Sequence, residues 1–414
     1  MNKYSIRIMS TAIVFFLLLT VGACSYINKD KNHSQSTIQE AESIPNDWTK
    51  NANAWTDSVL QMMTLEEMVG QLFMPASYAS SDYFTIKQLV KYVADNHVGG
   101  IVFLKGDIVS QKILSDTLRS FSEIPMFIAI DAEWGLGMRL KDAPVYPMNG
   151  RLGRLNDEQL MYEYGHEVAR QSREIGINMI LGPVLDVVDK SVKNAIGNRS
   201  FGDNPHKVAE LAVAYARGME DGNVMSVGKH FPGHGSAMGD SHYVLPKVYR
   251  DKVNLDSIDF FPFRAYSDAG LSAIMVGHLY VPSIDEIERS SAISPVVTTD
   301  YLKKEIGFEG LVLTDAINMK GATGSNRLGL QALIAGADIV LAPENTSQEI
   351  RNVIDAVLNG ELPIDSIKNK CRRILMYKYR FACRTASISE NASDSIRMKS
   401  QEEVLNKLRD FVKN

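Results

Sequence analysis

The sequence predicts an α/β fold, namely a single (β/α)8 barrel of the TIM type followed by C-terminal helices. Short apolar runs rich in β-branched residues alternate with longer amphipathic segments, as in parallel strands covered by helices. About eight such runs occur, which is the number of strands in a barrel of this type. The 414 residues, of which 45% are hydrophobic, provide enough chain for one barrel with extensions.

The predicted strands and helices follow one another in regular order. Apolar runs predict strands at 69–74, 99–104, 126–130, 178–185, 224–227, 272–276, 310–313 and 337–341. A helical period predicts helices at 157–175, 205–221 and 328–335, and two more at 364–381 and 395–411 that are separated by a Ser-rich linker. We therefore assign residues 48–384 to the barrel and residues 385–414 to a linker and C-terminal helix.

The N-terminal residues resemble the leader of an exported lipoprotein. Lys3 and Arg7 precede an apolar run at 13–21 that is too short for a confident membrane span. The run ends in Val21-Gly22-Ala23-Cys24, which resembles a bacterial lipobox. We expect residues 1–23 to be a lipoprotein signal peptide, Cys24 to be lipidated, and the polar residues 24–47 to form a flexible tether. A plain cleaved signal and a single anchor helix are the alternatives.

Charge and cysteine content restrict the partners. Lys and Arg total 44 and Asp and Glu total 49, which gives a net charge of −5 and argues against nucleic acid as a partner. Cys371 and Cys383 could form a disulfide in an oxidising compartment, but both fall in or beside a predicted helix, which favours free thiols. We expect a monomer.

Polar residues follow the predicted strands, at the rim where the loops of such a barrel converge. After the third to seventh strands, in order, come Asp131 and Glu133, Asp186, Lys229 and His230, His278, and Asp315. This placement predicts one shared site at that rim. An acidic residue after a strand is also often a helix cap, and this alternative is open for Asp186 and Asp315.

The loop after the fifth strand has the most distinctive pattern of the chain. It reads Lys229-His230-Phe231-Pro232-Gly233-His234-Gly235, followed by Asp240-Ser241-His242. The carboxylate of Asp240 can orient the His242 ring, which makes that imidazole usable as an acid or base near neutral pH. A zinc site of His230, His234 and His242 is the competing interpretation, but the spacing matches no common zinc motif, so we predict no metal. The third interpretation is that His242 is a loop histidine with only a structural role.

Three motifs together resemble the β-N-acetylglucosaminidase branch of glycoside hydrolase family 3. They are the loop just described, Leu313-Thr314-Asp315-Ala316 and Ile130-Asp131-Ala132-Glu133, and the resemblance extends over residues 63–342. It implies a retaining β-N-acetylhexosaminidase that removes terminal β-linked N-acetylglucosamine from oligosaccharides such as cell-wall fragments, without a cofactor. With the leader, it implies an enzyme of the cell envelope that is anchored by lipid to a membrane.

The resemblance also implies a role for individual residues. Asp315 corresponds to the nucleophile, and His242, paired with Asp240, corresponds to the general acid/base. The sugar-binding positions correspond to Asp131, Arg139, Arg199, Lys229 and His230. The family commonly has two glycines and an arginine where Trp134, Gly135 and Leu136 stand here. Trp134 could stack on a sugar or anchor the barrel rim.

Two other functions remain open at this stage. A histidine acid/base, unlike a carboxylate, does not repel an anionic acceptor, so phosphate could replace water and the enzyme would be a phosphorylase. A lipoprotein that binds glycans without cleaving them is the second alternative, but it has no need of a nucleophile opposite an acid/base.

Overall fold

The structure is a computed structural model that describes residues 48–322, 324, 326–383, 406–408 and 410. The predicted signal peptide, Cys24, the tether and most of the predicted helix 395–411 lie outside these residues. Among the described helices, none combines the length and the apolar character that crossing a membrane requires.

The described strands form a parallel barrel, as predicted. They are β1 Phe73–Met74, β2 Ala76–Ala79, β3 Gly100–Gly106, β4 Phe127–Ile130, β5 Met179–Ile180, β6 Met225–Phe231, β7 Ala273–Val276, β8 Leu311–Thr314 and β9 Val340–Leu341. Strands β2 to β8 pair in sequence order, and β9 pairs with β1. We use stave for one full strand position of the barrel wall. The segments β1 and β2 are two halves of one stave that is interrupted at Pro75, so the nine segments make eight staves.

Hydrogen bonds on both sides of the first stave close the barrel. Phe73 is in register with Val340 on one side, and its carbonyl accepts from the Gly99 N–H at 3.0 Å on the other. A bridge between Leu313 and Ile339 connects β8 to the β9 segment. The (β/α)8 prediction is therefore confirmed.

Helices cover the outside of the barrel. They are α1 Trp48–Met62, α2 Leu65–Gly70, α3 Tyr83–Asn96, α4 Ile108–Phe121, α5 Asn149–Leu152, α6 Glu158–Glu174, α7 Pro205–Asp221, α8 Lys252–Asn254, α9 Phe261–Asp268, α10 Leu328–Ala335, α11 Thr346–Leu358 and α12 Ile364–Phe381. Local sequence explains several starts: Asp157 caps α6, and Asn204 caps α7 with Pro205 in the first turn. The predicted bounds of α7, α10 and α12 are confirmed.

The predicted first strand exists, but its predicted start at residue 69 is wrong. Thr64 and Glu67 form a reciprocal capping box, with Thr64 N to Glu67 Oε2 at 2.7 Å and Glu67 N to Thr64 Oγ1 at 3.2 Å. This cap starts α2, so residues 65–70 are helical and the stave begins only at Phe73. The sequence prediction therefore also missed β2.

The predicted fourth strand is shorter than expected. Only Met179–Ile180 pair regularly, because Pro183 has no N–H to donate to a ladder. The chain still follows the barrel wall, since Val184 forms a bridge with Lys229. Asp186 thus reaches the rim as the strand pattern implied.

The terminal helices pack together against the barrel. Arg372 of α12 bonds the side chains of Asp57 and Asn53 of α1, and the Arg380 guanidinium lies 5.4 Å from the centre of the Trp48 ring. Cys371 is buried and Cys383 is half-buried, and both thiols are free, as expected.

Candidate active site

One cavity of about 480 Å³ opens where the carboxyl ends of the strands meet. All eight residues to which the sequence assigned catalytic or sugar-binding roles line it. They are Asp131, Arg139, Arg199, Lys229, His230, Asp240, His242 and Asp315. Apolar side chains such as Val102, Leu181 and Met275 form the inner wall. A cavity of this size with convergent polar groups is the expected form of a small-ligand site.

A bulge in β6 directs two consecutive side chains into this cavity. Lys229 pairs with Met275, and Phe231 pairs with the next residue, Val276, so that His230 is an extra residue in the strand. In a regular strand, neighbouring side chains point to opposite faces. The bulge removes this alternation locally, and Lys229 and His230 both line the cavity.

Five charged residues form what we call the floor cluster: Asp131, Glu133, Arg139, Arg199 and Lys229. The Lys229 ammonium lies 2.5 Å from Asp131 Oδ1 and 2.8 Å from Glu133 Oε1. Arg139 pairs with Asp131. Arg199 donates to Glu133 through Nε at 3.0 Å and Nη2 at 2.6 Å. Each charged group is thus held by at least one opposite charge.

Electrostatics keep the floor cluster ionised. Burial alone would raise the pKa of Asp131 and of Glu133, but Lys229 lowers both, with further help from the arginines. Burial would lower the pKa of Lys229, but the two carboxylates raise it. The cluster therefore presents fixed charges and hydrogen-bond donors to a ligand near neutral pH.

Asp186 organises the start of the histidine loop, the name we give to residues 232–247. Its carboxylate accepts from His230 Nδ1 at 2.7 Å and from the His234 N–H at 2.6 Å. The helix-cap interpretation of Asp186 is therefore wrong. His230 donates at Nδ1, so its Nε2 can accept from Arg199 Nη2 at 3.3 Å. His230 thus connects Asp186 to the floor cluster.

Asp315 follows β8 and does not cap a helix. Its Oδ1 accepts from the Ala316 N–H at 2.8 Å. Burial would raise the pKa of Asp315, but the His230 and His278 rings, the Ala316 N–H and the Lys229 ammonium lower it below its ordinary value. The carboxyl group is therefore ionised at neutral pH, as a nucleophile must be.

His278 supports this strand end and was not assigned a role from sequence. Its Nε2 donates to the Ala316 carbonyl at 3.1 Å, so Nδ1 accepts from the Ser290 hydroxyl at 2.8 Å. Burial lowers the pKa of His278, which agrees with this neutral form. The ring fixes the backbone next to Asp315.

Asp240 and His242 form a dyad at the outer end of the cavity. Asp240 Oδ1 lies 2.8 Å from His242 Nδ1 and accepts from the His242 N–H at 2.9 Å. Burial would raise the pKa of Asp240, but these two bonds lower it. The carboxylate holds the Nδ1 proton, which leaves Nε2 of His242 available for proton transfer. The His242 side chain is 64% exposed.

The zinc alternative and the role of Trp134 can be compared with this geometry. Within the described residues, no group of three His, Cys, Asp or Glu side chains is arranged to hold a metal ion. His230 is instead bonded to Asp186 and Arg199. Trp134 is half-buried and is not among the residues that line the cavity. The geometry therefore does not support its stacking on a sugar in that cavity.

Sequence reasoning missed two other residues of the site. Glu133 was noted only for its place after a strand and as part of a motif, yet it joins Arg199 and Lys229. Ser241 was quoted only as part of a motif, yet it lines the cavity and its hydroxyl lies 3.3 Å from His234 Nε2. The contacts of Glu133 have no sequence signal, because Arg199 and Lys229 come from different segments of the chain. The contact of Ser241 with His234 has none either, because it depends on how the histidine loop folds.

Residues 64–377 match the model of the glycosyl hydrolase family 3 N-terminal domain. The chain is 35% identical to a β-hexosaminidase of Neisseria meningitidis serogroup C over 261 residues. This alignment covers 60% of this chain and 72% of that protein. The chain is also 34% identical to a β-hexosaminidase of Chromobacterium violaceum over 257 residues, and this alignment covers 59% of this chain and 71% of that protein.

Solved structures agree with this match. A glycoside hydrolase family 3 β-N-acetylglucosaminidase from Paenibacillus sp. superposes with a TM-score of 0.74 at 29% identity, over 83% of this chain and 68% of that chain. A GH3-family glycosyl hydrolase from Mycobacterium smegmatis superposes with a TM-score of 0.68 at 30% identity, over 77% of this chain and 98% of that chain. With the closed barrel and the cavity at its carboxyl rim, these matches place the chain in glycosyl hydrolase family 3 as a glycoside hydrolase.

Proposed function

We propose that this protein is a retaining β-N-acetylhexosaminidase that hydrolyses terminal β-linked N-acetylglucosamine from oligosaccharides such as cell-wall fragments. One observation carries the proposal: Asp315, the Asp240–His242 dyad and the floor cluster meet at one cavity large enough for a sugar. The printed names of the relatives, β-hexosaminidase and β-N-acetylglucosaminidase, support the choice of sugar.

In the first step, Asp315 attacks the anomeric carbon. Oδ1 is bonded to the Ala316 N–H, so Oδ2 is the oxygen that attacks. As the bond from the sugar carbon to Oδ2 forms, the glycosidic bond breaks, and His242 transfers the Nε2 proton to the leaving oxygen. The products are a glycosyl ester on Asp315 and the released alcohol.

In the second step, water attacks the same carbon and the ester to Asp315 breaks. His242 Nε2 accepts the proton of the water, which returns the dyad to its first state. Two displacements at one carbon retain the β configuration. Asp240 stays ionised throughout and holds Nδ1.

The floor cluster and His230 bind the sugar. Lys229, Arg199 and Arg139 present donors to hydroxyl and acetamido oxygens, and the carboxylate of Asp131 accepts from hydroxyls. Because these groups are fixed by one another before a sugar arrives, little reorganisation is needed on binding.

The test uses the full chain, purified in detergent. We expect 4-nitrophenyl N-acetyl-β-glucosaminide to be cleaved roughly 100-fold better than the corresponding glucoside, since polar groups of the site would lose partners with the glucoside. NMR of the first product should show the β-anomer. Asp315→Ala should abolish turnover.

Four outcomes would overturn the proposal. Unchanged hydrolysis by Asp315→Ala would refute Asp315 as the nucleophile. An α-anomer as first product would refute the retaining mechanism. Turnover that requires phosphate and yields a sugar phosphate would make the protein a phosphorylase. Binding of N-acetylglucosaminides without any turnover would make it a glycan-binding protein.

We also propose that lipid on Cys24 anchors the protein in the cell envelope. The lipobox-like sequence that ends at Cys24 supports this proposal. Mass spectrometry of the mature N-terminus tests it: a diacylglyceryl cysteine is expected, and a Cys24→Ser variant should be released from the membrane fraction. An unmodified Cys24, or membrane retention of the variant, would refute the anchor.

A further inference from the structure

We infer that Gly321 and Ser241 form a latch that sets the position of the acid/base His242 over the nucleophile Asp315, an inference that rests on the proposed function. The latch joins two loops that leave different strands. One is the histidine loop, which carries His242, and the other is the segment from Asp315 to Gly321, which follows β8.

The two loops are in direct backbone contact. The Gly321 N–H donates to the Ser241 carbonyl at 2.9 Å. A Cβ placed on Gly321 would lie 2.8 Å from the Ser241 oxygen, 2.9 Å from the Val244 oxygen and 3.2 Å from the Ser241 Cα. All three are backbone atoms, so no side-chain rotation can relieve the contact. Only a glycine at 321 lets the turn that carries His242 approach this closely.

The segment on which the turn rests is itself anchored to the barrel. The Ile317 N–H donates to the Leu341 carbonyl of β9 at 3.0 Å, and the Ala322 N–H donates to the Met319 carbonyl at 3.0 Å. Asp315 begins this segment, and its own N–H donates to the Val276 carbonyl at 2.8 Å. Gly321 therefore stands at a fixed place relative to the nucleophile.

On its other side, the turn has weaker support. The Ser241 hydroxyl lies 3.3 Å from Nε2 of the buried His234. Farther along the loop, Met238 and Lys247 pair across its base, with the Met238 N–H donating to the Lys247 carbonyl at 2.9 Å. Inside the turn, the Tyr243 N–H donates to the Asp240 carbonyl at 2.9 Å. The turn can thus move as a unit when Gly321 is changed, and His242 would move with it.

The test compares Gly321→Ala with Lys320→Ala, a matched change at the neighbouring exposed residue that does not line the cavity. Two substrates separate positioning of the acid from general damage. An aryl N-acetylglucosaminide with a poor leaving group needs protonation, whereas N-acetyl-β-glucosaminyl fluoride needs little. The kcat/KM of each substrate should be compared, because it reports formation of the glycosyl-enzyme and not its hydrolysis.

We expect Gly321→Ala to lower the rate of glycosyl-enzyme formation about 100-fold with the poor leaving group and less than about 5-fold with the fluoride, because general acid catalysis contributes in that range. Lys320→Ala should change neither rate by more than about 2-fold. Ser241→Ala removes only the hydroxyl contact with His234. Its loss of rate with the poor leaving group should lie between those of Gly321→Ala and Lys320→Ala. Equal losses with both substrates, or none, would overturn the latch.

A second readout does not depend on activity. Amide hydrogen exchange of residues 237–246 should be faster in Gly321→Ala than in the unchanged chain, and Lys320→Ala should leave it unaltered. If the protein cleaves no N-acetylglucosaminide but exchange rises, the proposed function fails and the loop contact stands. If exchange does not change, the latch is wrong whatever the substrate is.

Discussion

The floor cluster and the histidine loop border the same cavity, but their charged groups are stabilised differently. Glu133 and Lys229 of the floor are 0% and 3% exposed, whereas His242 and Asp240 of the loop are 64% and 38% exposed. Arg199 and Lys229 of the floor pair with carboxylates that are far away in the sequence, while the dyad partners are only two residues apart. The floor is therefore built into the fold, and the dyad is a local unit of the histidine loop.

This difference assigns different tasks to the two regions. Recognition of one sugar requires donors and acceptors at fixed positions, which a buried network supplies. Proton transfer to a leaving group and then from water requires a side chain that both can reach. Changes in the floor should therefore affect stability and activity together, and changes in the dyad should affect activity alone.

Glu133→Ala should have the largest effect on the free energy of unfolding. The change leaves Asp131 as the single carboxylate for three cations, one of them buried, so we expect the free energy of unfolding to fall by about 3 kcal/mol. Urea unfolding measures this, and kcat/KM should fall in parallel. Asp116→Ala is the control, because the Lys112–Asp116 pair is 55% exposed at both ends and should contribute less than about 1 kcal/mol. Equal losses for Glu133→Ala and Asp116→Ala would contradict the distinction between the regions.

His242→Ala should reduce activity without reducing stability. Loss of a general acid/base should lower kcat/KM for substrates with poor leaving groups roughly 100-fold to 10,000-fold. The exposed ring contributes little to folding, so the free energy of unfolding should stay within about 0.5 kcal/mol. Steady-state kinetics and urea unfolding of the same sample provide both values. A stability loss comparable to that of Glu133→Ala would show that the loop is part of the folded framework.

Asp240→Asn should have a smaller effect on rate than His242→Ala. The amide can still accept from Nδ1 of His242, but it has no charge to stabilise the imidazolium form, so we expect kcat to fall about 10-fold to 100-fold. Steady-state kinetics with a substrate that has a poor leaving group measures this loss. Tyr243→Phe, a change in the same turn, should leave kcat within about 2-fold of that of the unchanged chain. An unchanged kcat in Asp240→Asn would separate Asp240 from catalysis.

Asp259→Asn should cause the smallest change, which is a change in how stability depends on pH. It tests the packing of Asp259 against the histidine loop at Gly233. Asp259 is fully buried against Gly233, and burial raises the pKa of its carboxyl to about 7. The folded protein therefore binds more protons than the unfolded chain between about pH 4 and pH 7, so this group makes stability fall as pH rises through that window. Asp259→Asn should flatten the slope and raise the free energy of unfolding at pH 8 by about 1 kcal/mol, as measured by urea unfolding at pH 5 and pH 8. An unchanged slope would mean that Arg250, 3.4 Å from Asp259, keeps the carboxyl ionised.

Local sequence signals explain which parts of the fold were predictable. Helix α7 was predicted to the residue because Asn204 and Pro205 start it and its apolar positions recur with the helical period. The first stave was misplaced because only Gly70 and Gln71 separate the apolar end of α2 from the apolar residues that lead into β1. The Thr64–Glu67 capping box was the sequence signal that could have separated them.

The candidate site divides in the same way. Which residues follow each strand, and that Asp240 precedes His242 by two positions, could be read from the sequence, since the ends of parallel strands meet at one rim. The contacts that hold those residues could not. Arg199 and Glu133 are separated by 66 residues, and nothing in either neighbourhood indicates the other.

The sequence by itself determined the order of strands and helices, the polar residues that reach the rim, and the local pairing of Asp240 with His242. Closure of the barrel decided the rest: that Glu133 is enclosed by Arg199 and Lys229, that a bulge directs both Lys229 and His230 inward, and that Gly321 supports the turn at Ser241. The physical reason is that short-range patterns fix backbone conformation, whereas contacts between distant segments exist only once the strands have been brought into register around the barrel.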